Sequence, residues 1–508
     1  MPVVQNGAIN TTALIVPDVY VQIIPPQQNL NGVPTNVLGI VGTASWGPVN
    51  KPVVGGNPAQ LAALFGPMQA RKYDLMTAVQ AAALQGASNF RCVRVTDGMD
   101  AAALATLQTN CITVTSKYTG SLGNGITVSV GPGSKAGTFK VVIAMPGVVP
   151  ESFDNLAAGL SGNAVWLAIA AAIDNGSSAI RGPSQIVTAA AGAGTTAPAT
   201  ATSPLSGGTD GAGGVAGAQL LGQDTVPRQG MYALRGTGTS VAMLADCDDS
   251  TTWSTQVAYG LSEGTYMIAT GPAGDTIANA VSAKATAGID TFSMKLLFGD
   301  WCYFNDTINK VIRLISPQAF VAGLLSNLSP EQSSLNKQLQ GIVGTQESNS
   351  NGVYSSAELQ LLGQAGIDVI TNPSPGGTYF SARFGHNTSS DAVIDGDSYT
   401  RMTNYLAYTL VSGMGKFVGR TQTASQRQEA EDTLGAFFDN LQSQGMIGDP
   451  NGDPAYSIRL NGSNNPQSRV ALGYEQADVQ VKYLGIVEKL LINLQGGASV
   501  QISRQIVS

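Results

Sequence analysis

Residues 17–50 read Pro17-Asp18-Val19-Tyr20-Val21-Gln22-Ile23-Ile24-Pro25-Pro26, then a polar bridge, then Val33-Pro34-Thr35-Asn36-Val37-Leu38-Gly39-Ile40-Val41-Gly42-Thr43-Ala44-Ser45-Trp46-Gly47-Pro48-Val49-Asn50. The first part has the pattern of one exposed strand closed by two prolines. Proline cannot donate to a ladder, so the segment is held away from its own core as an arm, and an arm of this kind pairs with another molecule. The second part differs. Val37–Val41 is the short apolar run of a buried strand, stopped by Gly42 and the Trp46-Gly47-Pro48 turn, so a buried sheet begins near Asn36.

Working outward, residues 59–65 and 73–84 have helical patterns ended by Gly66-Pro67 and Gly86, and Phe90–Val95 alternates as a strand. Strand, helix and strand in that order pair in parallel and point to α/β. From Asp97-Gly98 the composition shifts to Ala, Gly, Thr and Ser, with strand-like pieces at 111–115, 126–130 and 139–144. That is the pattern of an inserted β-rich domain. Residues 188–202 contain only Ala, Gly, Thr and Pro, too little side chain to bury much, which predicts a flexible surface segment. The α/β pattern resumes with buried-type strands at Val241–Leu244 and Tyr266–Ala269 and an aromatic strand and hairpin over 295–315.

Two helices follow. Ser398 is placed to cap the first, with Met402, Leu406, Leu410 and Met414 recurring beside Tyr405; Ser425 and Gln428 suit a capping box for the second, with Leu434, Phe437, Phe438 and Leu441 on one face. Strand-like stretches at 456–460 and 479–494 come next. After the Gly496-Gly497 hinge, residues 499–506 alternate apolar and polar as a second arm. The expected fold is therefore α/β (α+β mixed), a multi-domain core with a parallel or mixed sheet and helices, an inserted β-rich domain and extended β arms. The expected boundaries are 1–32 (arm), 33–98 (core, first part), 99–215 (insertion), 216–495 (core, second part) and 496–508 (arm).

Charged residues make up only 12% of the 508, about half the usual share, and the net charge is −7. A surface so poor in charge packs against copies of itself at little electrostatic cost, which favours self-assembly. Phosphate neutralisation needs clustered Lys and Arg, so direct nucleic-acid binding is not expected. Residues 164–173 form the longest apolar candidate, short of the roughly 20 needed to span a bilayer, and no basic, apolar leader pattern opens the sequence; membrane insertion is not expected. Cys92, Cys111, Cys247 and Cys302 are scattered without a C-x-x-C pair, which reads as buried reduced thiols.

Catalytic patterns are weak. Gly260-Leu261-Ser262-Glu263-Gly264 matches a nucleophile elbow with His386 downstream, but an elbow sits between strand and helix, and Thr265–Ala269 is β-like. Gly211–Ala216 and Gly192–Ala197 follow no apolar strand of the kind phosphate binding requires. Asp246, Asp248 and Asp249 lack the glycine and distal glutamate of a calcium loop. With one histidine and no P-loop, no catalytic residue, metal site or cofactor is assigned, and the chain reads as a structural protein.

Several of these motifs resemble the contractile phage tail sheath family: Pro17-Asp18-Val19-Tyr20, where the family usually has Pro-Gly-Val-Tyr; Gly42-Thr43-Ala44, Gly47-Pro48 and Asn50; Gly86-Ala87-Ser88-Asn89 leading to Val93-Arg94-Val95; Tyr118-Thr119-Gly120 with Gly123-Asn124-Gly125-Ile126; Leu205-Ser206-Gly207-Gly208-Thr209-Asp210-Gly211; and the order Trp301, Ser316-Pro317, Ala322-Gly323. Phe384 stands in Ala382-Arg383-Phe384 where relatives commonly carry threonine. The resemblance implies a homo-oligomer of stacked hexameric rings around an inner tail tube protein, meeting baseplate and tail terminator or neck proteins, located in the virion tail and assembled in the host cytoplasm. It implies contraction that drives the tube through the host envelope during genome ejection. Val19, Tyr20, Val21, Ile23, Val500, Ile502 and Ile506 would exchange strands between subunits. Pro25, Pro26, Gly32, Gly496 and Gly497 would be hinges, and Arg401, Lys416, Arg420, Arg427, Lys482 and Lys489 would face the tube. A glycine-rich surface adhesin or outer-layer protein is the alternative reading, and a serine hydrolase using Ser262 the third.

Overall fold

The computed structural model describes the backbone of residues 4–6 and 21–23, and backbone and side chains of residues 30–350 and 352–497. Val19, Tyr20, Pro25, Pro26, Val500, Ile502 and Ile506 lie outside the described residues, and of Val21 and Ile23 only the backbone is described.

Six strands make the central sheet: β1 (Leu38–Gly42), β2 (Pro52–Gly55), β3 (Phe90–Arg94), β4 (Val241–Leu244), β5 (Tyr266–Thr270) and β6 (Met294–Leu297). Their order is β6-β5-β4-β1-β3-β2, parallel throughout except for the antiparallel edge strand β2. Because successive side chains of a strand point to opposite faces, Leu38 and Ile40 enter one hydrophobic cluster and Val41 another; likewise Ile268 opposes Met267, and Leu297 opposes Leu296. Helices cover both faces, as an all-apolar strand requires.

On the first face lie α1 (Leu75–Leu84) and a later helix, α3 (Gln318–Asn327), while α2 (Trp253–Glu263) covers the second. Asp74 caps α1, accepting the Thr77 amide at 2.8 Å. The two helices on the first face approach closely because Gly323 has no side chain: a Cβ there would stand 2.5 Å from Ala82 Cα. The aromatic stretch 295–315 supplies β6 and then a hairpin, Cys302–Asp306 with Val311–Ile315, extended by Ile342–Thr345.

Residues 102–204 build two antiparallel sheets, one of four strands and one of three, around Val114, Val128, Phe153 and Trp166, with helix 163–175 closing the cluster. The flexible segment expected over 188–202 is corrected here. Val187–Ala191 is a strand paired in register with residues 112–116, and Ala201–Pro204 is another. Ladder hydrogen bonds need only backbone, so small side chains suffice where a partner strand already waits; between the two strands the Thr196 carbonyl accepts the Trp166 indole N–H at 2.7 Å.

The insertion is tied to the sheet by charge. Buried Arg94 donates to the carbonyls of Gly47 and Thr119 at 2.8 and 2.7 Å, and Asp210 accepts from Arg71 and the Ser121 amide at 2.5 and 2.6 Å. Gly120, at φ +132°, presses on the Ser45 carbonyl where a side chain would collide.

The last unit pairs α4 (Asp397–Met414) and α5 (Ala424–Ser443) with a two-stranded sheet, β7 (Tyr456–Arg459) and β8 (Asp478–Val481). Met402, Leu406, Leu434, Phe437, Phe438 and Leu441 form its cluster. The capping box expected at Ser425 lies two residues off: Thr423 caps α5, accepting the Gln426 amide at 3.1 Å. No helix among the described residues is long and apolar enough to cross a membrane.

Candidate assembly surfaces

The chain reaches the sheet from the arm by a strap laid over α4. Leu30 is buried in the helical cluster against Gly413, Gly32 presses on the Tyr405 ring, and the Val33 amide donates to Thr409 Oγ1 at 3.1 Å. Gly32 is thus a point of close approach. Within the arm itself Val21–Ile23 pairs in parallel with Val4–Asn6. Two strands of three residues have no independent stability, so further pairing or packing is what would hold them.

At the other end, β7 and β8 pair only with each other among the described residues, leaving an outer edge on each strand. A groove of about 770 Å³ runs between β7 and α5, lined by Glu431, Asp432, Asp439, Tyr456, Ser457 and Ile458 among others. Beyond β8 a bridge joins Ile447 to Tyr483, and no strand pairing follows it among the described residues. Residues 484–497 have no regular structure and mostly stand in solvent, with Leu490, Leu491 and Leu494 exposed by 79, 84 and 88%.

That segment corrects the strand expected over 479–494, of which residues 479–481 pair within β8 and Tyr483 adds a single bridge. Val487-Glu488-Lys489-Leu490-Leu491-Ile492 reads as a strand because it is mostly apolar, yet no strand among the described residues pairs with it. The signal for that was positional: it follows the last sheet and is bracketed by Gly485 and Gly496-Gly497. Both hinge candidates, Gly496 and Gly497, lie exposed at its far end, with open space where a Cβ of Gly496 would be.

The basic residues separate. Arg401 is 5% exposed and donates to the carbonyls of Leu328 and Ser329 at 2.7 and 2.8 Å, so its charge is spent inside the molecule; burial pushes the guanidinium down to about 10. As a surface contact it is corrected. Lys416 and Arg420 flank Phe417 on the turn joining α4 to α5, each about 5 Å from the ring at 5.1 and 5.2 Å, and Arg420 also meets Glu429 at 2.8 Å. Arg427 donates to Gln422, Lys482 meets Asp449 at 2.6 Å, and Lys489 lies on the exposed C-terminal segment.

The catalytic patterns find no supporting geometry. Ser262 lies inside α2, its hydroxyl donating to the Tyr259 carbonyl at 3.0 Å, so the motif ends a helix and precedes a strand, the reverse of an elbow. Asp246 accepts the Ser316 amide, Asp248 meets Lys72, and Asp249 accepts from Thr251. All four cysteines are buried and free.

A cavity of about 190 Å³ lies where the strap, the end of α2 and α4 meet, lined by Val33, Leu234, Tyr259, Tyr405 and Tyr408 among others.

No protein-family model and no curated protein matches the sequence. Solved structures do. A sheath tail protein from Listeria innocua superposes with TM-score 0.60 at 14% identity, covering 85% of this chain and 90% of that one. A sheath tail protein from Desulfitobacterium hafniense gives 0.59 at 17% identity, covering 87 and 93%. The sheath of an extracellular contractile injection system, PVC, in its contracted state gives 0.54 at 12% identity, covering 96 and 99%.

Proposed function

We propose that this chain, which has the fold of contractile tail sheath proteins, is the structural subunit of such a sheath and not an enzyme. Copies stack as six-membered rings around an inner tail tube, and the stack contracts to drive that tube through a host envelope. The observation that carries the reading is the exposed apolar segment 485–494 leaving a molecule whose β7–β8 pair has open edges. A strand donated by one copy and an edge offered by another make a contact between different patches, which propagates without closing. Ring number, baseplate and neck partners, and location in a virion tail belong to this proposal, as does assembly in the host cytoplasm.

On this reading the arm strands of residues 19–23 and 500–506 join β7 and β8 of neighbours. Gly496 and Gly497 let the rigid body turn while pairing persists. Lys416 and Arg420, together at the tip of the helical unit, are the tube-facing candidates that the geometry favours over Arg401.

Electron microscopy of the purified chain tests it: striated tubes are expected from the full sequence, and folded single particles after deletion of residues 496–508. Tubes that form equally well without those residues would remove the arm assignment. Flat sheets would favour the outer-layer reading, and ester hydrolysis lost in Ser262→Ala the hydrolase.

A further inference from the structure

His386, the single histidine of the chain, sits between two carboxylates that come from separate segments. Its Nδ1 is 3.5 Å from Asp395 Oδ2 and its Nε2 is 2.9 Å from Glu488 Oε1, and one donor atom from each residue lies within 4.8 Å of the other two. Each ring nitrogen thus faces a carboxylate oxygen, and three groups of the kinds that ligate metal ions converge at one place.

Two of the three groups are held in place. His386 pairs with Gly396 through its backbone, its carbonyl accepts the buried Lys295 ammonium at 2.9 Å, and its ring lies against Phe384 at 6.2 Å between centroids. The Asp395 carbonyl accepts the Asn387 amide at 2.6 Å. The third group, Glu488, is on the exposed segment 484–497, where a long side chain can adjust.

We infer that His386, Asp395 and Glu488 form a site for a divalent first-row transition ion, of which Zn²⁺ is the representative, and that the ion pins the root of the C-terminal segment to the body. One imidazole nitrogen and two carboxylate oxygens are a donor set such ions take, with water completing the shell. An ion bonds only one ring nitrogen, so at Nδ1, beside Asp395, ligand distances of about 2.0–2.2 Å require the Glu488 carboxylate to move round from Nε2, which its place on the exposed segment permits. Burial of all four thiols and the lack of any second imidazole leave few competing soft donors. The inference rests on these three residues and not on the sheath reading.

Zn²⁺ titration of the full chain, free of any histidine tag, by calorimetry tests it. One saturable site per chain is expected, weakened at least about tenfold in His386→Ala and in Glu488→Gln, since even groups behind the ligands are worth that much. Glu488→Gln changes only an exposed side chain, so its result does not depend on refolding the core. Saturating Zn²⁺ should also slow tryptic cleavage after Lys489 in the wild type and not in Glu488→Gln. Absence of saturable binding, as a simple imidazolium–carboxylate clasp would give, or wild-type affinity retained in both variants, overturns the site.

Discussion

Lys295 on β6 and Asp397 at the first residue of α4 meet at 3.2 Å with both side chains sealed from solvent. The ammonium also lies 2.6 Å from Asp368, and Asp397 accepts from the Tyr266 hydroxyl at 2.6 Å and the Ser334 hydroxyl at 2.5 Å. Burial alone would raise the Asp397 carboxyl, but Lys295 and those hydroxyls outweigh it and hold the group below its ordinary range. This network fastens the helical unit to the central sheet.

Removing the cation strands two buried carboxylates, so Lys295→Met should cost about 3–5 kcal/mol in urea denaturation. Because the folded Asp397 binds its proton more weakly than the unfolded one, its contribution is complete at neutral pH. It is lost as pH falls below about 4, through the folded value. A Lys295→Met chain as stable as the wild type at neutral pH would show the network to be idle.

Asp74 has the opposite sign. Burial pushes its carboxyl up to about 6, against the hydrogen bond from the Thr77 hydroxyl and the charge of Arg71. Between about pH 4 and about pH 6 the unfolded chain has released this proton and the folded chain keeps it, so its contribution to stability falls as pH rises through that window. In Asp74→Asn, which retains a side-chain acceptor for the Thr77 amide, that part of the slope should vanish. Denaturation curves across the window at fixed ionic strength decide the matter, and an unchanged slope would assign the titration elsewhere.

Gly323→Ala tests the helix crossing on the first face of the sheet. The new methyl would meet backbone of α1, Ala82 Cα at 2.5 Å and its carbonyl oxygen at 2.6 Å, which no rotamer change relieves. Overpacking of this kind costs about 1–3 kcal/mol or more. A thermal midpoint equal to that of wild type would mean that α1 and α3 slide apart freely.

Much of the core was legible because period and burial agree: Val37–Val41 and Val241–Leu244 are apolar, Phe90–Val95 alternates, all are bounded by glycine or polar turns, and all enter the central sheet. Residues 188–202 were not, since a strand of alanines carries no pattern and exists through its neighbour's ladder. Arg401 precedes Met402 on the buried stripe of α4, and only the fold places two carbonyls from the end of α3 within its reach. Among the surfaces, the apolar residues of 486–494 could be read, but not that they stand exposed among the described residues. Burial is a property of the whole fold, and hydropathy alone does not separate a core strand from one awaiting another copy.

That distinction gives the sharpest prediction. Leu490, Leu491 and Leu494 are almost fully exposed in the single chain, so replacing all three with aspartate removes no contact and should leave the denaturation midpoint nearly unmoved, each change being within about 0.5 kcal/mol. If these side chains pack on a neighbouring copy, the same variant buries three carboxylates at that contact, and the cost of desolvating them abolishes association. The expected outcome is a wild-type melting curve with sedimentation as a monomer under conditions where the wild type forms large assemblies. Two results would count against the segment as an assembly surface: assemblies that persist in the triple variant, or a midpoint that drops with them, which would place these leucines in the molecule's own core.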